Sequence, residues 1–125
     1  MTLEVKTLDK QHHNYVQWLG DLSFHKDELS QFEQQLQQLI VRSNKELLPR
    51  FEHFQNAFIR QHEVVDELSH EIGVVDQHLI SVRDGAQTLV VDRVLDYDQI
   101  SAKMETFHKL YRDLKSEYLE FLALW

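Results

Sequence analysis

Apolar and aromatic residues recur along the chain in three runs, each stepping alternately by three and four positions. The first run is Tyr15, Trp18, Leu22, His25, Leu29, Phe32, Leu36 and Leu39, with Leu19 and Ile40 widening the stripe. The second is Phe51, Phe54, Phe58, Gln61, Val65, Leu68, Ile72, Val75, Leu79 and Val82. The third is Tyr97, Ile100, Met104, Phe107, Tyr111, Leu114, Tyr118, Phe121 and Trp125. This alternation holds each run on one face of an α-helix, as in the seam between helices packed side by side. Of the 27 seam positions 25 are apolar or aromatic; His25 and Gln61 are the exceptions.

Local signals set the ends of the three helices. Asp9 is a reasonable N-cap, which puts the first helix at about 10–43 with a length of about 50 Å. Ser43-Asn44-Lys45-Glu46-Leu47-Leu48-Pro49 reads as a turn. Proline is tolerated in the first helical turn, so the second helix runs over about 47–83. Arg83-Asp84-Gly85 stops the pattern. Residues 84–97 read as a loop, because one short β-branched stretch would have no partner strand. Asp98 as N-cap, with Tyr97 before it, starts a third helix at about 98–125. Gly73 lies beside the second seam, a position that suggests a close helix approach.

Short connections force sequential helices to run antiparallel. The expected fold is all-α: one domain over 1–125, an antiparallel three-helix up-down-up bundle with coiled-coil-like heptad seams. A flatter helix layer packed on its twin is the competing arrangement.

Composition narrows the picture further. Only three glycines and one proline occur in 125 residues, as helix interiors require. The absence of cysteine excludes disulfides and thiolate metal sites. Met1 to Lys10 has no apolar stretch of signal-peptide length, and no window reaches the length of a membrane span. A formal charge of −8 argues against nucleic acid and against an anionic membrane surface as partners. A cytoplasmic location is expected.

Eight histidines invite a metal reading. Two Glu-x-x-His spacings occur, Glu67 to His70 and Glu105 to His108, and di-iron bundles use such pairs facing inward. The seam register turns them elsewhere. With Val65 and Leu68 on the seam, Glu67 and His70 fall on the outer face, and Glu105 and His108 flank the third seam. His62 and Asp66 form a further pair one turn apart. His62, His70 and His78 step by eight and spiral off any single face. No nucleophile motif or phosphate-cradling glycine loop is present. No cofactor is expected.

Trp18-Leu19-Gly20-Asp21-Leu22-Ser23-Phe24 with Lys26-Asp27-Glu28-Leu29, the stretch Glu52-His53-Phe54-Gln55-Asn56 and the ending Glu117-Tyr118-Leu119-Glu120-Phe121-Leu122-Ala123-Leu124-Trp125 carry a resemblance. Together they resemble a group of small uncharacterised helical proteins of Bacteroidota bacteria, over most of the chain. The resemblance implies a helical fold and brings no activity and no functional residue.

Two features remain. Counting residues from the first turn puts His25, Gln61 and Tyr111 at similar height, which predicts a buried polar layer whose members satisfy one another. Ile40, Val41, Leu47 and Leu48 at the first turn meet Leu119, Leu122, Leu124 and Trp125 at the same end of the bundle. They exceed what the seam needs, and such a surplus is either an end cap or a contact for a partner or a twin. The expected role is a non-enzymatic helical interaction or scaffold protein. The alternative is a metal- or cofactor-binding bundle using the Glu-x-x-His pairs.

Overall fold

A computed structural model describes residues 5–85 and 91–124, with side chains over 6–85 and 96–124. Three long helices make the fold: α1 (Val5–Val41), α2 (Leu48–Arg83) and α3 (Val91–Ala123). A single 3₁₀ turn, Lys45–Leu47, joins α1 to α2. The described residues contain no strand. The antiparallel three-helix bundle expected from the seams is the fold observed.

Heptad spacing accounts for the core. Leu8, Tyr15, Leu22, Leu29 and Leu36 step by seven along α1, and all are buried. Every described seam position of the three runs is buried or half-buried. α2 lies close against both α1 and α3, whereas the backbones of α1 and α3 stay further apart. The end of the bundle near the first turn is packed with rings. Tyr118 lies 5.0 Å from Phe58, 5.2 Å from Phe54 and 5.1 Å from Phe32, centroid to centroid. Phe121 lies 5.4 Å from Phe51, edge to face, with the Arg50 guanidinium 4.7 Å above its ring.

The helix starts differ from the local signals in two places. α1 begins at Val5, so Asp9 is inside the helix and accepts a hydrogen bond from Arg83 Nη1 at 3.2 Å. The cause is Leu8, a buried core position one heptad before Tyr15. Gln11 stands between the two and hides the continuation of the seam. α3 begins at Val91, so much of the expected loop 84–97 is helical and Asp98 lies within the helix. Residues 86–90 are outside the described residues. Arg93 interrupts the seam there, and Val91 and Val94 are poor helix formers, but propensity is a weak prior. Tyr97 packs 5.6 Å from Tyr15 and stacks 5.5 Å from Trp18, so tertiary contact already engages α3 ahead of Asp98.

The other ends follow their signals. Pro49 lies in the first turn of α2. α2 ends at Arg83, and Gly85 takes a left-handed φ of 79° that only glycine adopts freely. The Gly85 N–H then donates to the Val82 carbonyl at 3.1 Å. Gly73 does not mark a close helix approach. It is exposed, and a Cβ built there meets nothing within 4 Å.

That openness yields a stability prediction. Gly73→Ala fills no occupied space and removes backbone freedom from the unfolded chain, so it should stabilise the protein by about 0.4–1 kcal/mol. Urea unfolding of parent and variant measures this, and a loss of stability would show that Gly73 is packed against something.

Candidate functional site

The Glu-x-x-His pairs do not come together. Glu67 and His70 are exposed on α2, and Glu105 is exposed on α3. His108 is half-buried and turns toward α1, its Nε2 3.7 Å from Asp21. Among the described residues no group of three or more His, Asp or Glu side chains converges in a way that could hold a metal ion. His62 and Asp66 also part company. His62 Nε2 lies 2.9 Å from Glu33, and Lys26 donates to Asp66 at 2.8 Å. That bond from Lys26 holds the Asp66 carboxyl below the usual carboxylate range.

The polar layer forms in part and with different bonds. His25 lies against Tyr111, ring centroids 4.2 Å apart. The Tyr111 hydroxyl, however, donates to Glu28 Oε1 at 2.6 Å. His25 Nδ1 and Gln61 Oε1 are buried without a hydrogen-bond partner. A carboxylate is the stronger acceptor, so it takes the hydroxyl in preference to a ring nitrogen or an amide. The expected heights were also off. The Lys26–Asp66 and Glu33–His62 pairs put Gln61 about six to nine residues along α1 from His25, or roughly 9–13 Å.

What the chain builds between α1 and α3 is a ladder of polar contacts with a fixed offset. Asn14 Nδ2 donates to the Tyr97 hydroxyl at 2.5 Å, Tyr111 donates to Glu28, and Tyr118 donates to Gln35 Oε1 at 2.9 Å. Each pair is separated by 83 residues, which is what two parallel helices in register require. Lys115 Nζ adds a bond to Glu28 Oε2 at 3.1 Å. Burial alone would push the Glu28 carboxyl up; the bonds from Tyr111 and Lys115 outweigh it and hold the group below its ordinary value. Burial pushes the Tyr118 hydroxyl up to about 12, and burial with the bond to Glu28 raises Tyr111 further. Both phenols are neutral donors at any physiological pH. The sequence carried a signal for this ladder: Asn14, Asp21, Glu28 and Gln35 step by seven beside the seam.

A further buried carboxylate escaped the sequence reading. Asp76 of α2 is 8 % exposed and is joined to His12 Nδ1 at 2.7 Å. It stabilises the contact of α1 with α2 near the open end of the bundle.

The apolar surplus at the first turn is partly covered and partly open. Ile40, Leu47 and Leu122 are half-buried against the core. Leu48 and Leu119 are exposed, and Val41 and Leu124 are 85 % and 78 % exposed. Trp125 lies outside the described residues. A groove of about 380 Å³ on α2 is lined by Asn56, Ile59, Arg60, Glu63, Val64 and Glu67, and two others flank the helix. One, between α1 and α2, encloses about 530 Å³ and is lined by Gln34, Gln37, Gln55, Asn56 and Ile59 among others. The other, between α2 and α3, encloses about 300 Å³ over Val64, Leu68, Phe107 and Leu110.

No protein-family model, no curated protein and no solved structure matches the chain. Among the described residues no helix is long and apolar enough to cross a membrane.

Two measurements test the α1–α3 contacts. Tyr111→Phe removes the donor to an ionised, half-buried carboxylate and should cost about 1–2 kcal/mol in urea unfolding. A change within about 0.5 kcal/mol of zero would mean that Glu28 gains nothing from the hydroxyl. The second concerns His25. Burial, then the nearby His108, lowers its affinity for a proton, against the opposing pull of Glu28 and Asp21. The unfolded chain therefore binds the extra proton, and stability contributed by neutral His25 is lost as pH falls below about 6.5. His25→Leu should lose less stability than the parent between pH 7.5 and 5.5. Equal losses would show that the His25 ring is charged without cost in the fold.

Proposed function

We propose that the chain is a non-enzymatic helical interaction or scaffold module that takes a protein partner at the end of the bundle near the first turn. One observation carries the reading. The bundle buries or half-buries every described position of its seam and still leaves Val41, Leu48, Leu119 and Leu124 exposed at one end. Burying such side chains is favourable by about 25 cal/mol per Å², so a clustered surplus outside a finished core favours contact with another surface. The acidic balance of the chain speaks for a protein partner and against nucleic acid or an anionic membrane. The same composition, free of cysteine, suits a cytoplasmic site of action. The competing metal-bundle reading would need Glu67, His70, Glu105 and His108 to converge, and three of them face solvent.

Affinity capture from the native organism, with the parent and with a Val41→Ser/Leu124→Ser variant of equal helicity, tests the proposal. A protein held by the parent and lost from the variant is the expected outcome. Identical sets of captured proteins would remove this end of the bundle from any binding role.

A further inference from the structure

The charge of the chain is divided along the bundle. The offset of 83 residues between α1 and α3 and the pairing of α1 with α2 place Gln31, Gln61 and Leu114 at about one level. On the turn side of that level, residues 31–61 and 114–125, five basic side chains stand against five acidic ones. The described residues of the other half, 5–30, 62–85 and 91–113, include 15 acidic and eight basic residues, and so nearly the entire formal charge of −8. The neutral half also holds Val41, Leu48, Leu119, Leu124 and Ile59, the last 54 % exposed.

The groove between α1 and α2 lies in this neutral half. Its polar lining is mainly carboxamides, from Gln34, Gln37, Gln55 and Asn56, around the exposed Ile59. Glu33, the one charged residue among its lining residues, turns its Oε1 toward His62 Nε2 at 2.9 Å. In a two-fold contact each group meets its own kind or a near neighbour. Ionised side chains repel in that arrangement. Carboxamides do not, because each brings both donors and an acceptor, and apolar groups are indifferent.

We propose, resting on the reading of this end of the bundle as a contact surface, that the partner is a second copy of the chain. The two copies meet through the neutral half, with the amide-lined groove around Ile59 as the self-complementary patch. With the copies antiparallel, the acidic halves extend from the contact in opposite directions, so most of their charges lie more than a Debye length of about 8 Å from those of the other copy. A contact through the acidic halves would set charges of one sign against each other.

Sedimentation equilibrium of the full chain decides the matter. The parent should form a dimer, with little change between low and high salt. Ile59→Glu, and separately Gln37→Glu, place like charges across the contact and should each weaken the dimer at least about tenfold. Leu110→Glu, in the groove on the other side of α2, should leave it intact. Circular dichroism of each variant checks the fold, and all three sites are exposed. A dimer insensitive to Ile59→Glu and Gln37→Glu, or one seen only at high salt, overturns the proposal. So does a parent that stays monomeric at high micromolar concentration. If that monomer still holds a different protein that Val41→Ser/Leu124→Ser releases, the second copy is excluded and the interaction module stands. If it holds none, both fall.

Discussion

Long side chains crossing between α1 and α3 hold the third helix in place. The two backbones are too far apart to pack directly, so the gap is filled by Trp18, His25 and Phe32 from one side and Tyr97, Tyr111 and Tyr118 from the other. Tyrosine suits the task because its ring fills apolar space while its hydroxyl reaches the polar rim. There it meets Asn14, Glu28 and Gln35. These partners recur every seven residues or multiples of it, so the contact fixes the rotation of each helix as well as its height. α2 needs no such device. It lies against both neighbours mainly with aliphatic and phenyl groups; apart from the partly buried His12–Asp76 bond, polar contacts such as Lys26–Asp66 and Lys103–Glu71 close over the seams from outside.

The number and order of helices were legible because the seam is strict. An unbroken alternation over 51–82 permits little besides a helix buried along one face. The starts were less legible, and for one reason in both cases. A polar residue on the seam, Gln11 or Arg93, ends a pattern that is read from apolar residues alone. The helix itself tolerates such a residue, since Leu8 and Tyr97 anchor the turns around it. The apolar end cluster was legible in the same way as the seam, although its division into covered and open residues depends on three-dimensional packing.

The polar contacts were the least legible. Heights counted from turns assume that residues pair symmetrically about the connection. The ion pairs shift α1 against α2 enough to separate His25 from Gln61 by about six to nine residues. The choice of partner was also hidden. A phenol near an imidazole, an amide and a carboxylate bonds to the carboxylate, and only the fold tells which of the three is within reach. The spacing of Asn14, Asp21, Glu28 and Gln35 could have pointed to the ladder, because a polar row parallel to an apolar seam is where tyrosine hydroxyls emerge.

The constant offset of 83 residues also orders the events of folding. The link between α1 and α2 is a few residues long, so their first contacts close a small loop at little entropic cost. Each tyrosine rung closes a loop of 83 residues and so costs more chain entropy than a contact across the first turn. Loop closure thus favours a helical hairpin between neighbours in sequence before any α1–α3 rung. The overall topology is rich in local contacts, the class of chain that folds in microseconds to milliseconds.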